Sequence, residues 1–367
     1  MISLATWMPT QRIYGVPERE SGLLLGSTKG KRPLELFATD EPFHKPGSDQ
    51  PLYGSIPYIT GFTKETGASM LWVNSADTMV DIETMQLDGV DGSSITFMSE
   101  SGALEFFLTA SSTPQFSNFN GSTTNRVKKL NRDLATITGF APLPMIQTLG
   151  FHFCKWAPSS ADILIDRSRS FTEHGYPLDV LWADIQWAKS PPEIVGGDET
   201  PSDDNYMYFV FNEQNFTAPK LEELHSELED NGRRITVIVD PHIKVSSSYF
   251  VYSEGMQMQR QSSESSVHNI FVRANAKSSD PFEGKCWPGV STWIDFLNEN
   301  AQEFWSDLFQ PDRFVGSNYL YSAWNDMNEP SVFESPTKTL PLETVHVKAD
   351  GRQFEHRDIH NAYGGLQ

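Results

Sequence analysis

Three aspartates stand at the ends of apolar runs: Asp184 after LDVLWA, Asp240 after RITVIV and Asp326 after YLYSAWN. Asp326 is followed by Asn328, Glu329 and Pro330, and a proline in that place stops a strand or opens a loop. Carboxylates held close together push one another's pKa values apart, so that one can donate a proton while another stays ionised. Tryptophans accompany the acids, namely Trp156, Trp182, Trp187, Trp287 and Trp324. Flat indole faces suit the apolar faces of sugars, although they serve core packing equally well. Carboxylates beside aromatics point to glycoside hydrolysis, in which one carboxylate attacks or stabilises an oxocarbenium-like centre and another protonates the leaving oxygen. Metal binding is the rival use of such acids, but no HExxH, CxxC or clustered-His spacing supports it, and no metal or cofactor is expected. His152 and His242 are singletons, a setting in which a hydrogen-bonded structural histidine is as common as a functional one.

Acids delivered by several strands to one end are what a parallel barrel needs, because the active sites of such barrels lie at the C-terminal ends of the strands. From residue 146 onward, apolar runs alternate with amphipathic segments, the βα pattern of a parallel sheet. The runs are IQTLGFHFCKW (146–156), LDVLWADIQW (178–187), RITVIVDPHIK (234–244) and YLYSAWNDMNEPSVF (319–333). Helices are expected between them: one with Ser159 or Ser160 as N-cap and Gly175 as stop, one over 219–231 with Leu221, Leu224 and Leu228 on one face, and one near 298–309. The acidic, Pro- and Gly-rich stretch 188–205 is expected to be a surface loop. The polar excursion 246–285 is too long for an ordinary βα connection and predicts either a lid or disorder.

Ahead of this region, from about residue 10 to residue 112, short apolar runs such as SGLLLGS, RPLELFAT, SSITFMSE and GALEFFLTAS are separated by turn residues. That spacing predicts an antiparallel β-sandwich. A polar connection, 113–142, with a short helix near Arg126 to Leu134, leads out of it. The expected domains are residues 1–140 and 141–367.

The formal charge of −20, from 28 basic and 48 acidic residues, argues against binding to nucleic acid or to an anionic membrane. Cys154 and Cys286 are too few for a disulfide scaffold; one bridge between them is possible, but two free, partly buried thiols are expected. The start, MISLATWMPTQRIYG, lacks a secretory h-region, and no run of 18 apolar residues occurs, so no membrane span is expected. Two sequons, at Asn120 and Asn215, would be glycosylation sites in a secretory setting.

WNDMNEPSVF (324–333) resembles the nucleophile signature of the family 31 glycoside hydrolases, in particular their glucosidase II-type catalytic subunits. YGSIPYITGF (53–62), LWVNSADTMVDI (71–82), LGFHFCKW (149–156), DVLWADI (179–185), VDPHIKV (239–245), FEGKCWPG (282–289) and HRDIHNAYG (356–364) are similar to further family motifs and occur in family order. The resemblance implies a galactose mutarotase-like sandwich followed by a (β/α)8 TIM barrel, of which this sequence holds strands one to four. It also implies a retaining α-glucosidase that removes terminal α-1,3-linked glucose from N-glycans in the endoplasmic reticulum lumen, with a lectin-like β subunit as a regulatory partner. Carried over by position, Asp326 is the nucleophile and Glu329 orients it; Asp184 binds the hydroxyls of the terminal glucose. Trp287 and Trp324 line that subsite, Asp240 and His242 form its floor, and Trp156, Met327 and Asn328 belong to the rim. The family's general acid falls in a later segment that has no counterpart before Gln367, and the sequence is expected to be truncated at its C-terminus and at its N-terminus. It also departs locally, with Gln186 and Trp187 in place of a Glu-His pair and Phe211 and Asn212 in place of a Trp and an Asp, so the alternative expectation is a catalytically inactive truncated paralogue that at most binds α-glucosides.

Overall fold

The computed structural model describes residues 1–112, 123–157, 159–189, 206–262 and 267–366. They form two compact units, one of residues 1–142 with 356–362 and one of residues 143–355 with 363–367. The segment 356–362, placed by sequence in the second domain, thus packs with the first unit. Its Asn361 side chain takes up the Ala38 N–H at 3.0 Å and donates to Leu36 O at 2.8 Å.

The first unit is a pair of four-stranded antiparallel sheets. Its strands are β1 (Ile2–Met8), β2 (Ile13–Gly15), β3 (Leu34–Leu36), β4 (Tyr58–Phe62), β5 (Thr66–Trp72), β6 (Thr78–Leu87), β7 (Val90–Ser99) and β8 (Phe106–Ser112). One sheet has the order β1-β7-β6-β3 and the other β2-β4-β5-β8. Met8, Leu36, Val80, Ile82, Ile95 and Phe97 from the first sheet meet Ile13, Ile59, Met70 and Trp72 from the second in one buried core. This is the sandwich that the period-two runs predict. The hairpin joining β6 to β7 turns on Asp88 and Gly89, both at positive φ (50° and 76°), as a two-residue turn matched to strand twist requires. Helix α1 (Thr123–Thr138) is longer than the short helix expected there.

In the second unit the strands are β9 (His152–Phe153), β10 (Val180–Ala183), β11 (Ala188–Lys189), β12 (Met207–Phe211), β13 (Arg234–Val239), β14 (His242–Lys244), β15 (Gly284–Cys286), β16 (Gly289–Trp293), β17 (Tyr321–Asn325), β18 (Val345–Val347) and β19 (Gln353–Glu355). The helices are α2 (Ala161–Glu173), α3 (Ala218–Asp230), α4 (Phe250–Arg260), α5 (Glu299–Asp307) and the short α6 (His356–Ile359), the last falling in the first unit. The four apolar runs supply one sheet in the order β9-β10-β13-β17, and every pairing in it is parallel. The helices between the strands begin where the sequence signals place them. Ser160 caps α2 by accepting from Ile163 N at 3.2 Å, and Asn298 caps α5. Leu221, Leu224 and Leu228 of α3 are buried.

The stretch 246–285 is neither a lid nor disordered over its described residues, 246–262 and 267–285. It forms α4 and then an extended segment in which Ile270, Phe271 and Val272 are fully buried, with bridges from Phe271 to Ile294 and from Arg273 to Val345. Three consecutive apolar residues in a polar run carry it into the core, a signal that average polarity hides. The expected loop over 188–205 lies outside the described residues from 190 on, as does the sequon at Asn120, while Asn215 is exposed. Cys154 and Cys286 are not joined in a disulfide; Cys154 is exposed rather than partly buried, because it follows the short β9 at the sheet edge, and Cys286 is buried.

Candidate active site

Each of the three acids is the first residue beyond the C-terminal end of a strand: Asp184 after β10, Asp240 after β13 and Asp326 after β17. These strands are neighbours in one parallel sheet, with Ala183 opposite Val237 and Val239 opposite Asn325. Continued by one residue, that register sets Asp240 level with Asp326, one strand spacing of about 4.8 Å away, and Asp184 level with Ile238, two residues short of Asp240 on the neighbouring strand. Trp182 and Trp324 lie on strand residues two before Asp184 and Asp326, and residues two apart share a face. Their rings meet with centroids 5.0 Å apart. Trp182 is held from the other side by its indole N–H, which donates to His152 Nδ1 at 2.9 Å.

Asp184 accepts from Ile185 N at 2.8 Å and caps a single 3-10 turn, Ile185–Trp187. Burial pushes its carboxyl above the ordinary carboxylate range, the Ile185 N–H draws it back, and the charge of Asp240 raises it again. Asp240 is buried. Its Oδ2 accepts from the Tyr208 hydroxyl and lies 3.2 Å from His242 Nε2, and the same hydroxyl is 3.3 Å from that nitrogen. Burial, followed by the neighbouring Asp240 charge, drives the Tyr208 phenol well above its usual range, so it remains a donor.

His242 begins β14, which pairs with β16, and Trp287 sits in the turn between β15 and β16. The imidazole stacks on the Trp287 indole, centroids 5.5 Å apart and planes 19° apart. Phe333 also packs on Trp287, with ring centroids 4.7 Å apart and planes at 69°. The loop carrying Asp326 and Glu329 is tied to this hairpin, since Phe333 N donates to Lys285 O at 3.0 Å and Cys286 Sγ to Ser331 O at 3.3 Å. Within the loop Met327 has φ 55°, a left-handed backbone that costs a non-glycine residue about 1–3 kcal/mol and is concentrated at functional turns. Glu329 is buried, whereas Asp326 is half-buried at the strand end.

The expected residues thus fall into linked groups. Asp240, His242 and Trp287 touch directly, and Asp184 interacts with Asp240 through charge. Trp324 reaches the sheet face through Trp182. Trp156 is 69% exposed, so it offers a rim surface; with the Gln186 amide oriented to satisfy both its ends, its indole N–H donates to Gln186 at 3.0 Å. Trp187, in contrast, is fully buried, with its N–H donating to Ile238 O at 3.0 Å and its ring among Phe211 and Phe314. That contact shows what two of the local departures do: Phe211 packs against Trp187, and Asn212 accepts from Gln214 N to form a turn. The sequence reading passed over Tyr208 and Phe333. Nothing local marks Tyr208, three residues before Phe211, as a partner of Asp240, or Phe333 as a ring packed on Trp287.

Two family models match the sequence. Residues 141–367 match the glycosyl hydrolases family 31 TIM-barrel domain, and residues 5–81 the glycosyl hydrolase 31 N-terminal galactose mutarotase-like domain. A protein named "Probable glucan 1,3-alpha-glucosidase" from Arabidopsis thaliana is 32% identical over 367 aligned positions, which cover 96% of this chain and 35% of that protein. Among solved structures, a glucosidase II alpha subunit in its alpha3-Glc2-bound form superposes with TM-score 0.81 at 29% identity over 99% of this chain and 36% of that one. The heterodimeric complex of ER glucosidase II, a catalytic subunit with the binding domain of its regulatory subunit, gives TM-score 0.81 at 30% identity with the same coverage. The chain spans about a third of the length of these relatives.

Proposed function

The chain belongs to glycosyl hydrolase family 31, and from that membership we propose that it carries the nucleophile half of a glucosidase II-type retaining α-glucosidase site. The observation that carries the reading is the row of Asp184, Asp240 and Asp326 at the ends of adjacent parallel strands, beside Trp287 and Trp324. In this proposal Asp326 attacks C1 of a terminal α-linked glucose. The C1–O bond to the aglycone breaks, and an acid group protonates the departing oxygen. Water then attacks C1 of the glucosyl ester, giving its proton to the conjugate base of that acid and releasing Asp326. Glu329 orients Asp326, Asp184 and Asp240 accept from sugar hydroxyls, and Trp287, Trp324 and Trp156 face the ring and its neighbour.

A retaining pair needs a second carboxyl roughly 5 Å from the nucleophile; the family's acid motif has no counterpart within residues 1–367, and no residue of this sequence is assigned that role in the proposal. The α-1,3 linkage of an N-glycan is the proposed substrate, supported by the named specificity of the plant relative and by the ligand of the first solved relative. An endoplasmic reticulum setting and a regulatory subunit are proposed on the same footing. No helix among the described residues is long and apolar enough to cross a membrane.

The test is an aryl α-glucoside with a good leaving group, which needs little protonation. The 367-residue chain should release aglycone slowly and retain a glucosyl group on Asp326, seen by peptide mass spectrometry. Turnover should be weak, because general-acid assistance is worth about 10²–10⁴-fold. Robust steady-state hydrolysis would refute the reading that no residue of this sequence serves as the acid. Absence of both adduct and sugar binding in folded protein would refute the site.

A further inference from the structure

Tyr208 lies in β12, far in sequence from Asp184, Asp240 and Asp326, yet its hydroxyl is the donor that reaches Asp240 Oδ2. Its own position is fixed twice. The Tyr249 hydroxyl donates to Tyr208 O at 2.7 Å, and both rings are almost fully buried. The next residue, Phe209, has φ 65°, an unusual backbone for a bulky side chain. That kink lets the consecutive residues Met207, Tyr208 and Phe209 all be buried, where a regular strand would alternate them between faces. Phe209 fills an aromatic cluster with Trp305, Phe309 and Phe314.

The second observation concerns what remains unpaired. Asp240 Oδ2 is occupied by Tyr208 and lies against His242 Nε2, whereas Asp240 Oδ1 is buried without a hydrogen-bond partner among the described residues. A buried carboxylate oxygen with no donor is costly unless something outside the protein supplies one. Beside it, His242, whose ring lies flat on Trp287, has its Nδ1 buried without a hydrogen-bond partner among the described residues as well.

We infer that Tyr208 is a positioning residue: its phenol holds Asp240 by one oxygen, so that the other is left as an acceptor for a hexose hydroxyl. The inference rests on the glucoside-binding reading above and adds to it a residue that touches no substrate.

Calorimetry with D-glucose and the 367-residue chain tests it, using the unsubstituted chain, Tyr208→Phe, Asp240→Asn and the double variant. Tyr208→Phe should weaken binding about tenfold to hundredfold, the range of one charge-assisted hydrogen bond. Because Tyr208 acts through Asp240, its substitution should change nothing further in the Asp240→Asn background. It should also erase discrimination against the one deoxyglucose that lacks the hydroxyl met by Asp240. Equal losses in both backgrounds, or no loss, would overturn the inference. If the unsubstituted chain binds no glucose, the site reading fails and the positioning claim is decided separately. For that, and for the case in which Tyr208→Phe does not fold, 3-fluorotyrosine is placed specifically at 208. Its fluorine resonance should move on Asp240→Asn, and an unmoved resonance would refute the hydrogen-bonded clamp.

Discussion

Trp187 gives a prediction in which packing and hydrogen bonding can be separated. Its side chain is fully buried, its rings lie 5.3 Å from Phe211 and 5.1 Å from Phe314, and its N–H donates to Ile238 O at 3.0 Å. Replacing a buried Trp by Ala costs about 3–5 kcal/mol through lost transfer energy and the cavity left behind. The unmet carbonyl adds to this, although water entering the cavity recovers part of that addition. The expected cost of Trp187→Ala is therefore about 4 kcal/mol, a large share of the ~5–15 kcal/mol that folds an ordinary domain. Trp187→Phe keeps one aromatic ring in the pocket while removing the N–H donor and the volume of the second ring, so it should cost about 1–3 kcal/mol, less than Ala. At about 2–4 °C per kcal/mol for a domain of this size, the Ala variant should melt roughly 8–16 °C lower. Urea unfolding followed by circular dichroism gives both values, and glucose calorimetry on the Phe variant reads the site. Trp187 follows Asp184 by three residues and is bonded to the carbonyl two residues before Asp240, so affinity should fall in that variant as well. An Ala variant that loses less than about 1.5 kcal/mol, or a Phe variant as damaged as Ala, would refute the reasoning.

Three further outcomes are expected. Burial, then the charges of Glu35 and Glu100, raise Asp77 from 3.8 to about 7, so its folded-state pKa lies above the unfolded one. Stability that is fully present below the unfolded pKa is then lost as pH rises to about 7, and Asp77→Asn should flatten the fall in melting temperature between about pH 4 and pH 7; an unchanged slope would count against it. Arg233 is buried and donates to Leu178 O at 3.3 Å, to Ser168 O and Oγ at 2.6 Å each, and to Thr172 Oγ1 at 2.8 Å, joining the start of β13 to α2. Arg233→Ala should destabilise by about 3–5 kcal/mol in urea, with Lys a poor substitute because it lacks the planar fork. Thiol titration should modify Cys154 in the native chain and Cys286 only after unfolding, with Cys154 reacting slowly near neutral pH because burial and then Asp184 raise its pKa.

The amino-acid sequence by itself determined the features that repeat locally. Short runs between turn residues mark the strands of the first unit, continuous apolar runs mark the parallel strands of the second, the period-3.6 leucines mark α3, and Ser160 and Asn298 mark helix starts, because each depends on residues only a few positions apart. The same locality made the three acids legible, since an aspartate directly after an apolar run is visible without knowing what the run pairs with. Family motifs extended the reading to roles for Asp326, Glu329, Trp287 and His242. Only the tertiary structure decided the contacts between distant segments: the Trp182–Trp324 pair, the His242–Trp287 stack and the Tyr208 hydroxyl on Asp240. These depend on strand order, register and one left-handed residue, none of which has a local period. Burial settled the rest in the same way. It took Trp187 into the core and left Trp156 exposed, and it drew Ile270, Phe271 and Val272 out of a polar stretch into the core, because residue type states a preference and the surrounding packing decides whether it is met.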